Sequence, residues 1–325
     1  MRLMLAPMEG VIDHTMRHLL TSMGGIDRCV TEFVRVTDRL LPPRTFRKFC
    51  PELDSGGHTA SGVPVYLQLL GGQASVVADN AARAAQLGAP GIDLNFGCPA
   101  KTVNRSDGGA ILLREPERVH AIVAATRAAL PSNIPLSVKT RLGFEDDQLF
   151  MDIARGIEAA GATELTVHAR TKRQGYRPPA HWEQIAAARE VTTLPIIANG
   201  EVWSIDDAQR CREISGCDDL MLGRGVLCRP DLPRLIQAAS AGQEQHSLHW
   251  PEIAPLLLTY FNLNLEYYDE RYVGNPIKQW LIYLRFYFPQ AAPVFERVKR
   301  LHCVDEIRAV LQESQPSDSA TRSAA

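Results

Sequence analysis

The sequence predicts a parallel (β/α)8 TIM barrel followed by a small all-helical domain. Three observations support this. Eight short apolar, β-branched runs recur up to about residue 223, most followed by a segment with helical spacing. The runs are continuous rather than alternating, as suits strands buried on both faces. The segment after the first run, Ala6-Pro7-Met8-Glu9-Gly10, lacks the glycine-rich phosphate turn that a doubly wound sheet wants there. Eight strand–helix units over roughly 240 residues is the arithmetic of a barrel.

In chain order the expected strands are residues 3–8, 29–34, 65–70, 92–96, 136–141, 164–168, 195–199 and 219–223. Residues 75–87, 116–130, 147–160 and 205–214 carry Ala, Leu, Arg and Glu at helical spacing. Pro116 and Ser204 suit helix starts, and Gly88 and Gly161 suit stops. The connection over residues 35–63 is long and holds Pro42-Pro43 and Ser55-Gly56-Gly57, so an elaborated loop is expected. Its basic residues Arg35, Arg39, Arg44, Arg47 and Lys48 then fall on the carboxyl-end face of the barrel.

After Gln243 the strand signal stops, and residues 250–265, 276–287 and 293–310 read as three helices with apolar stripes. The expected organisation is a catalytic barrel over 1–243, a helical domain over 244–313 and a disordered Ser/Ala-rich tail over 314–325. A helical domain of about 70 residues is near the lower limit for folding alone, so it should pack on the barrel.

Composition excludes several classes. With 45% hydrophobic and 22% charged residues, the 325-residue chain is an ordinary globular protein. A net charge of −2 gives no global signal for nucleic acid, although a basic groove can hide inside a neutral total. The seven cysteines form no CxxC pair, so neither a structural zinc site nor a disulfide framework is expected. The short N-terminal apolar run is no signal peptide, and no apolar run reaches the roughly 20 residues of a membrane span. A cytoplasmic protein is the resulting expectation.

Chemistry should lie at the strand ends, which are unusually polar: Gln68, Asn95, Cys98, Lys139, Arg141, His168, Arg170, Asn199 and Arg224. In Asp93-Leu94-Asn95-Phe96-Gly97-Cys98-Pro99, Pro99 lacks a backbone donor and pushes Cys98 toward extended geometry. Strand pairing should therefore stop before Cys98. A free cysteine is most often a small buried apolar residue. Here the loop position and nearby cationic strand ends favour a proton donor or nucleophile. Lys139, between Val138 and Thr140, could bury its stem and reach solvent with its head. With polar groups at most strand ends, a site accounts for it better. Asn199-Gly200-Glu201 and Gly223-Arg224-Gly225 follow the last two strands, the usual phosphate position in such barrels.

Taken in order, Ala6-Pro7-Met8-Glu9-Gly10, Gln68-Leu69-Leu70-Gly71, Asp93 to Pro99, Lys139-Thr140-Arg141-Leu142-Gly143, His168-Ala169-Arg170-Thr171, Ile197-Ala198-Asn199-Gly200-Glu201 and Gly223-Arg224-Gly225 resemble the tRNA-dihydrouridine synthase family. The Asn-x-Gly-Cys-Pro element is highly specific, and the helical domain matches the family's layout. Glu32-Phe33-Val34-Arg35 and Ile277-Lys278-Gln279-Trp280-Leu281 resemble the C-type subfamily, which acts on the uridine at tRNA position 16.

The resemblance implies FMN bound in the barrel and reduction of the uridine C5–C6 double bond, with NADPH, or NADH, as reductant. Pro7, Met8, Glu9 and Gln68 are then expected near the isoalloxazine, with Lys139 near N1 and O2 and His168 supporting that region or the ribityl chain. Asn199, Gly200, Glu201, Gly223 and Arg224 are expected at the phosphate. Hydride would pass from flavin N5 to uracil C6, with Cys98 protonating C5 and Asn95 and Arg141 holding the base. Arg35, Arg271, Lys278 and Arg297 are candidate contacts to tRNA, the one partner implied. No metal, membrane or obligatory protein partner is expected, and a monomer is. The chain departs from the family pattern at Arg105 and Asp107, where small residues are usual, and a charged pair there could alter the Cys98 loop. Two other readings fit some of these residues. One is a flavin barrel acting on a free dihydropyrimidine or dihydroorotate-type molecule, which leaves the helical domain without a job. The other is an aldolase-like barrel with a Schiff base on Lys139.

Overall fold

The computed structural model of the protein describes residues 1–315. The tail expected over 314–325 lies outside the described residues but for its first two. Among the described residues, nine parallel strands run in order along the chain: β1 (Leu3–Leu5), β2 (Arg28–Val30), β3 (Val34–Arg35), β4 (Val65–Leu70), β5 (Ile92–Asn95), β6 (Leu136–Arg141), β7 (Glu164–His168), β8 (Ile196–Asn199) and β9 (Leu220–Leu222). Their hydrogen-bonded order is β2-β1-β9-β8-β7-β6-β5-β4-β3, and β2 also pairs with β4. The sheet is therefore closed. Because β2 and β3 both pair with β4, they are two halves of one stave, and the barrel has eight staves.

The single strand expected over 29–34 is thus interrupted, and Thr31 is the reason. Its hydroxyl accepts the Gln68 main-chain N–H at 3.0 Å, taking over one rung of the ladder. The chain then shifts before Val34 rejoins β4 opposite Leu69. The long loop expected after it carries a helix, Pro43–Phe49, and a 3-10 turn, Pro51–Ser55.

Two apolar layers hold the barrel. Inside, Met4, Ala6, Val30, Ile197 and Met221 pack with Tyr66 in the lumen. Outside, a continuous core joins the sheet to the surrounding helices and runs on into the C-terminal helices. There Trp280 is buried, donates its indole N–H to Leu227 O at 3.1 Å, and meets Tyr260 edge to face. The Thr15 hydroxyl donates to the Asn264 side-chain oxygen at 2.7 Å. These contacts seat the helical segment on the barrel.

That segment has four helices rather than the three expected: Trp250–Leu265, Gly274–Leu284, Ala291–Val298 and Val304–Glu313. Val298 and Ile307 are both buried yet stand nine residues apart, about half a turn out of phase at roughly 100° per residue. One straight helix would send one of them to solvent. Breaking the chain between them buries both, and Lys278 Nζ donates to the Leu301 carbonyl at the break, at 2.6 Å.

One ion pair joins the barrel to its inserted loop. Arg17, on the helix His14–Ser22, is fully buried and donates to both Glu52 oxygens at 2.9 Å and to Phe49 O at 3.0 Å. Removing one partner strands the other charge. Glu52→Ala should cost about 3–5 kcal/mol, whereas replacing both Arg17 and Glu52 by apolar residues should cost much less. Urea denaturation of the three variants checks this.

Candidate active site at the carboxyl ends of the strands

Ladder register dictates which side chains meet. Gln68 stands opposite Asp93, and Asp93 opposite Ser137; further up, Asn95 pairs with Lys139, Arg141 with His168, and His168 with Asn199. Polar residues from neighbouring staves therefore sit side by side in the upper half of the barrel. Above them opens a cleft of about 540 Å³. Pro7, Met8, Glu9, Gln68, Asn95, Cys98, Lys139, Arg141, His168, Asn199, Gly200, Glu201, Gly223 and Arg224 all line it. Every residue expected to bind a cofactor, base or proton is on this surface.

The Cys98 loop is wound around Asn95. The Asn95 side-chain oxygen accepts the main-chain N–H groups of Gly97 and Cys98, both at 2.9 Å. Its amide nitrogen donates to Gln68 Oε1 at 2.8 Å. The returning limb closes when Ala110 N and Asn104 Nδ2 donate to Cys98 O at 3.1 and 3.0 Å. Gly109, at φ +70°, is required there, because a Cβ would stand 3.0 Å from Cys98 O. Cys98 is 8% exposed, and burial pushes its thiol pKa up. It is held as a protonated thiol at neutral pH.

The floor of the cleft is cationic. Lys139 donates to Asn199 Oδ1 at 2.9 Å, and Asn199 in turn donates to Met221 O at 2.7 Å. An ammonium has three N–H groups, so Lys139 keeps donors for a ligand. Burial, followed by the nearby Arg141 charge, lowers the Lys139 pKa to about 8. Burial and the same cations drive His168 well below its usual range, so His168 is neutral. Arg224 lies between the Tyr176 and Trp203 rings, 4.9 and 4.8 Å from their centroids. Gly200 has φ +116°, and a Cβ there would meet the His168 ring at 2.8 Å. Glu201 is committed elsewhere, paired with Arg170 and accepting the Trp203 indole N–H at 3.2 Å. A lysine, an arginine, a neutral histidine and glycine backbone around one cavity fit a planar, oxygen-rich ligand carrying a phosphate.

Arg141 is placed differently from a free base-binding arginine. It is buried, and donates to Gly97 O at 2.8 Å, Thr171 O at 3.2 Å and Gly175 O at 2.9 Å, so it braces two loops as well as facing the cleft. The candidate tRNA contacts are not brought into the cleft. Arg35 is exposed near its rim and donates weakly to Thr102 O at 3.4 Å. Arg271 pairs with Asp269 at 3.0 Å, Arg297 pairs with Glu313, and Lys278 is tied to Leu301 O. Arg105 and Asp107 do not pair with each other. Asp107, at φ 56°, binds Arg118 at 2.9 Å, and Arg118 also donates to Gly72 O at 3.2 Å. The charge at 107 thus pins the far limb of the Cys98 loop to the end of β4.

Sequence reasoning gave no role in the site to Glu32, Phe33, Tyr176, Trp203 or Tyr283, all of which line the cleft. Tyr176 had a signal, standing among the basic residues Lys172, Arg173 and Arg177 that follow His168. Tyr283 had none, because only packing brings its helix over the barrel mouth.

The family described as dihydrouridine synthase (Dus) matches residues 4–315. The tRNA-dihydrouridine(16) synthase of Aquipseudomonas alcaligenes is 51% identical over 311 residues, spanning 96% of this chain and 99% of that protein. The protein of that name in Pseudomonas putida is 50% identical over 300 residues, spanning 92% and 93%. That in Haemophilus influenzae is 46% identical over 314 residues, spanning 96% and 100%. Among solved structures, the old yellow enzyme homologue from Zymomonas mobilis superposes with a TM-score of 0.53 at 13% identity, covering 76% of this chain and 90% of that one. Histamine dehydrogenase from Rhizobium sp. 4-9 gives 0.56 at 12% identity, covering 81% and 49%. At those identities the structures share the fold alone.

The buried thiol has a direct readout. At pH 7.5 iodoacetamide should alkylate Cys98 several-fold more slowly than the exposed Cys303, and the Cys98 rate should keep climbing above about pH 8.5, the ordinary thiol range. Peptide mapping by mass spectrometry measures both.

Proposed function

The chain belongs to the dihydrouridine synthase family, and from that membership we propose that it reduces the C5–C6 double bond of a D-loop uridine in tRNA, at position 16. The observation that carries the chemistry is Cys98, a protonated thiol fixed over a cleft with a cationic floor. Identity of 50–51% to the position-16 enzymes over nearly the whole chain supports the choice of uridine. No described helix is long and apolar enough to cross a membrane, and the proposed location is the cytoplasm, where tRNA is modified.

The donor set fits FMN. Lys139 and His168 would hold the oxygen-bearing edge of the isoalloxazine, with Pro7, Met8, Glu9 and Gln68 along the ring. Arg224, Asn199 and the main chain of Gly200, Glu201 and Gly223 would hold the ribityl phosphate. FMN, with NADPH as the proposed source of electrons, supplies the hydride for uracil C6. A cation beside the cofactor's N1 and O2 favours the negative charge that reduction creates there.

The chain's own residues do the remainder. Cys98 gives its Sγ proton to C5, and burial keeps that proton in place until a base is bound. One Asn95 amide N–H is committed to Gln68, and its second is available to a uracil carbonyl. Arg141 supplies positive charge beside the base while holding Gly97 and the 171–175 loop. A uracil in folded tRNA is stacked, so the base must be extruded into this cleft. Arg35 at the rim is positioned for the backbone, and Arg271, Arg297 and Lys278 would exchange their present partners for phosphates.

Dihydrouridine mapping in tRNA from cells lacking the gene tests the whole proposal. Loss at position 16 alone is expected; loss at another position overturns the site, and no loss overturns the function. Cys98→Ala should bind flavin normally and lose about 10²–10⁴ in rate. Lys139 supplies a pH test. Flavin affinity should fall as pH rises through about 8, where the free ammonium loses its proton, and Lys139→Met should abolish that dependence; fluorescence titration from pH 7 to 9 measures both.

A further inference from the structure

Asp93 is buried below the cleft and none of the chemistry above uses it. It accepts the Ser137 hydroxyl at 2.6 Å on Oδ1 and the Gln68 amide nitrogen at 2.7 Å on Oδ2. Gln68 then presents Oε1 to the Asn95 amide nitrogen at 2.8 Å. Asn95 presents Oδ1 to the main-chain N–H groups of Gly97 and Cys98. From Asp93 to the loop, every bond in this row runs the same way, with the donor on the loop side and the acceptor on the Asp93 side.

Both ends of the row have a fixed sense. A carboxylate only accepts, and a main-chain N–H only donates. Between them stand two side-chain amides, each able to turn over. Asp93 at one end requires the Gln68 nitrogen, which leaves the Gln68 oxygen for Asn95. The loop at the other end requires the Asn95 oxygen, which leaves the Asn95 nitrogen for Gln68. The two demands agree, so neither amide can flip without leaving buried groups unpaired.

We propose that Asp93 is a positioning residue: its acceptor-only carboxylate fixes the sense of the Gln68 and Asn95 amides and so holds the Cys98 loop in its working conformation. The catalytic consequence rests on the role given to Cys98 above; the loop consequence does not. A leucine at 93 has a similar branched shape but accepts nothing, so the Gln68 amide no longer has a fixed sense. When Gln68 turns over, two amide nitrogens confront each other at Asn95, and Asn95 is released from the loop.

The test uses the full chain and reads the Cys98 alkylation rate by iodoacetamide, with Cys303 as the internal reference. Asp93→Leu should raise the Cys98 rate about tenfold, the scale of one lost buried hydrogen bond, and leave Cys303 unchanged. Asp93→Asn keeps an acceptor for Gln68 by turning its N–H to the Ser137 oxygen, and its Cys98 rate should stay near that of the unmodified protein. The exchanged pair Asp93→Asn/Gln68→Glu also has a donor and an acceptor in every bond: the new amide nitrogen at position 93 donates to a carboxylate at position 68, which also accepts from Asn95. Its Cys98 rate should likewise stay near that of the unmodified protein. An unchanged rate in Asp93→Leu, or exposure of Cys98 in either variant that keeps an acceptor, overturns the proposal. If Asp93→Leu does not fold, the exchanged pair decides by itself: protection supports the relay and exposure of Cys98 refutes it. Should protection follow these expectations while Cys98→Ala stays fully active, the relay stands and the role of Cys98 falls.

Discussion

A closed parallel barrel brings one side chain from every stave into a narrow lumen, and in this protein the upper layers of that lumen are polar. Buried polar groups must be paired, so the residues there constrain one another as a set. Ser137, Asp93, Gln68 and Asn95 form one row, and Lys139, Asn199 and the Met221 carbonyl form another. The first row ends on the loop that carries Cys98. The second ends on the cationic floor. The rest of the site is arranged around those two rows.

Their electrical characters differ, and the difference suits the division of labour. Cys98 is shielded from solvent, which favours the neutral thiol, as the proposed proton transfer requires. Lys139 is crowded by Arg141 and by burial, so its charge is poorly compensated by protein and well suited to an anionic ligand. Glu201, an acid on the cleft wall, is occupied by Arg170 and Trp203. The cleft thus keeps a positive floor beneath an uncharged acid.

Where the fold departs from expectation, local patterns gave way to tertiary satisfaction. The second stave reads as one β-branched run, yet the Thr31 hydroxyl takes a ladder donor from Gln68 and splits it. The last two helices read as one, yet Val298 and Ile307 can both be buried only if the helix breaks between them. Arg105 and Asp107 look like a pair because they are close in sequence. The partner of Asp107 is Arg118, eleven residues on, because the chain turns back at the end of β4.

The order of apolar runs, the helix signals between them and the polar residues closing each run determined the barrel, its carboxyl-end site and the residues around the cleft. These are local features, and a parallel barrel converts them into one place by geometry. Tertiary structure alone decided which donors remain available. Nothing in the sequence says that Arg141 braces Gly97, that Arg271 and Arg297 are paired with acids, or that Tyr283 leans over the barrel mouth. Those outcomes depend on contacts between residues far apart in the chain, set by how the helical segment seats on the barrel and by which buried polar groups had to find partners first.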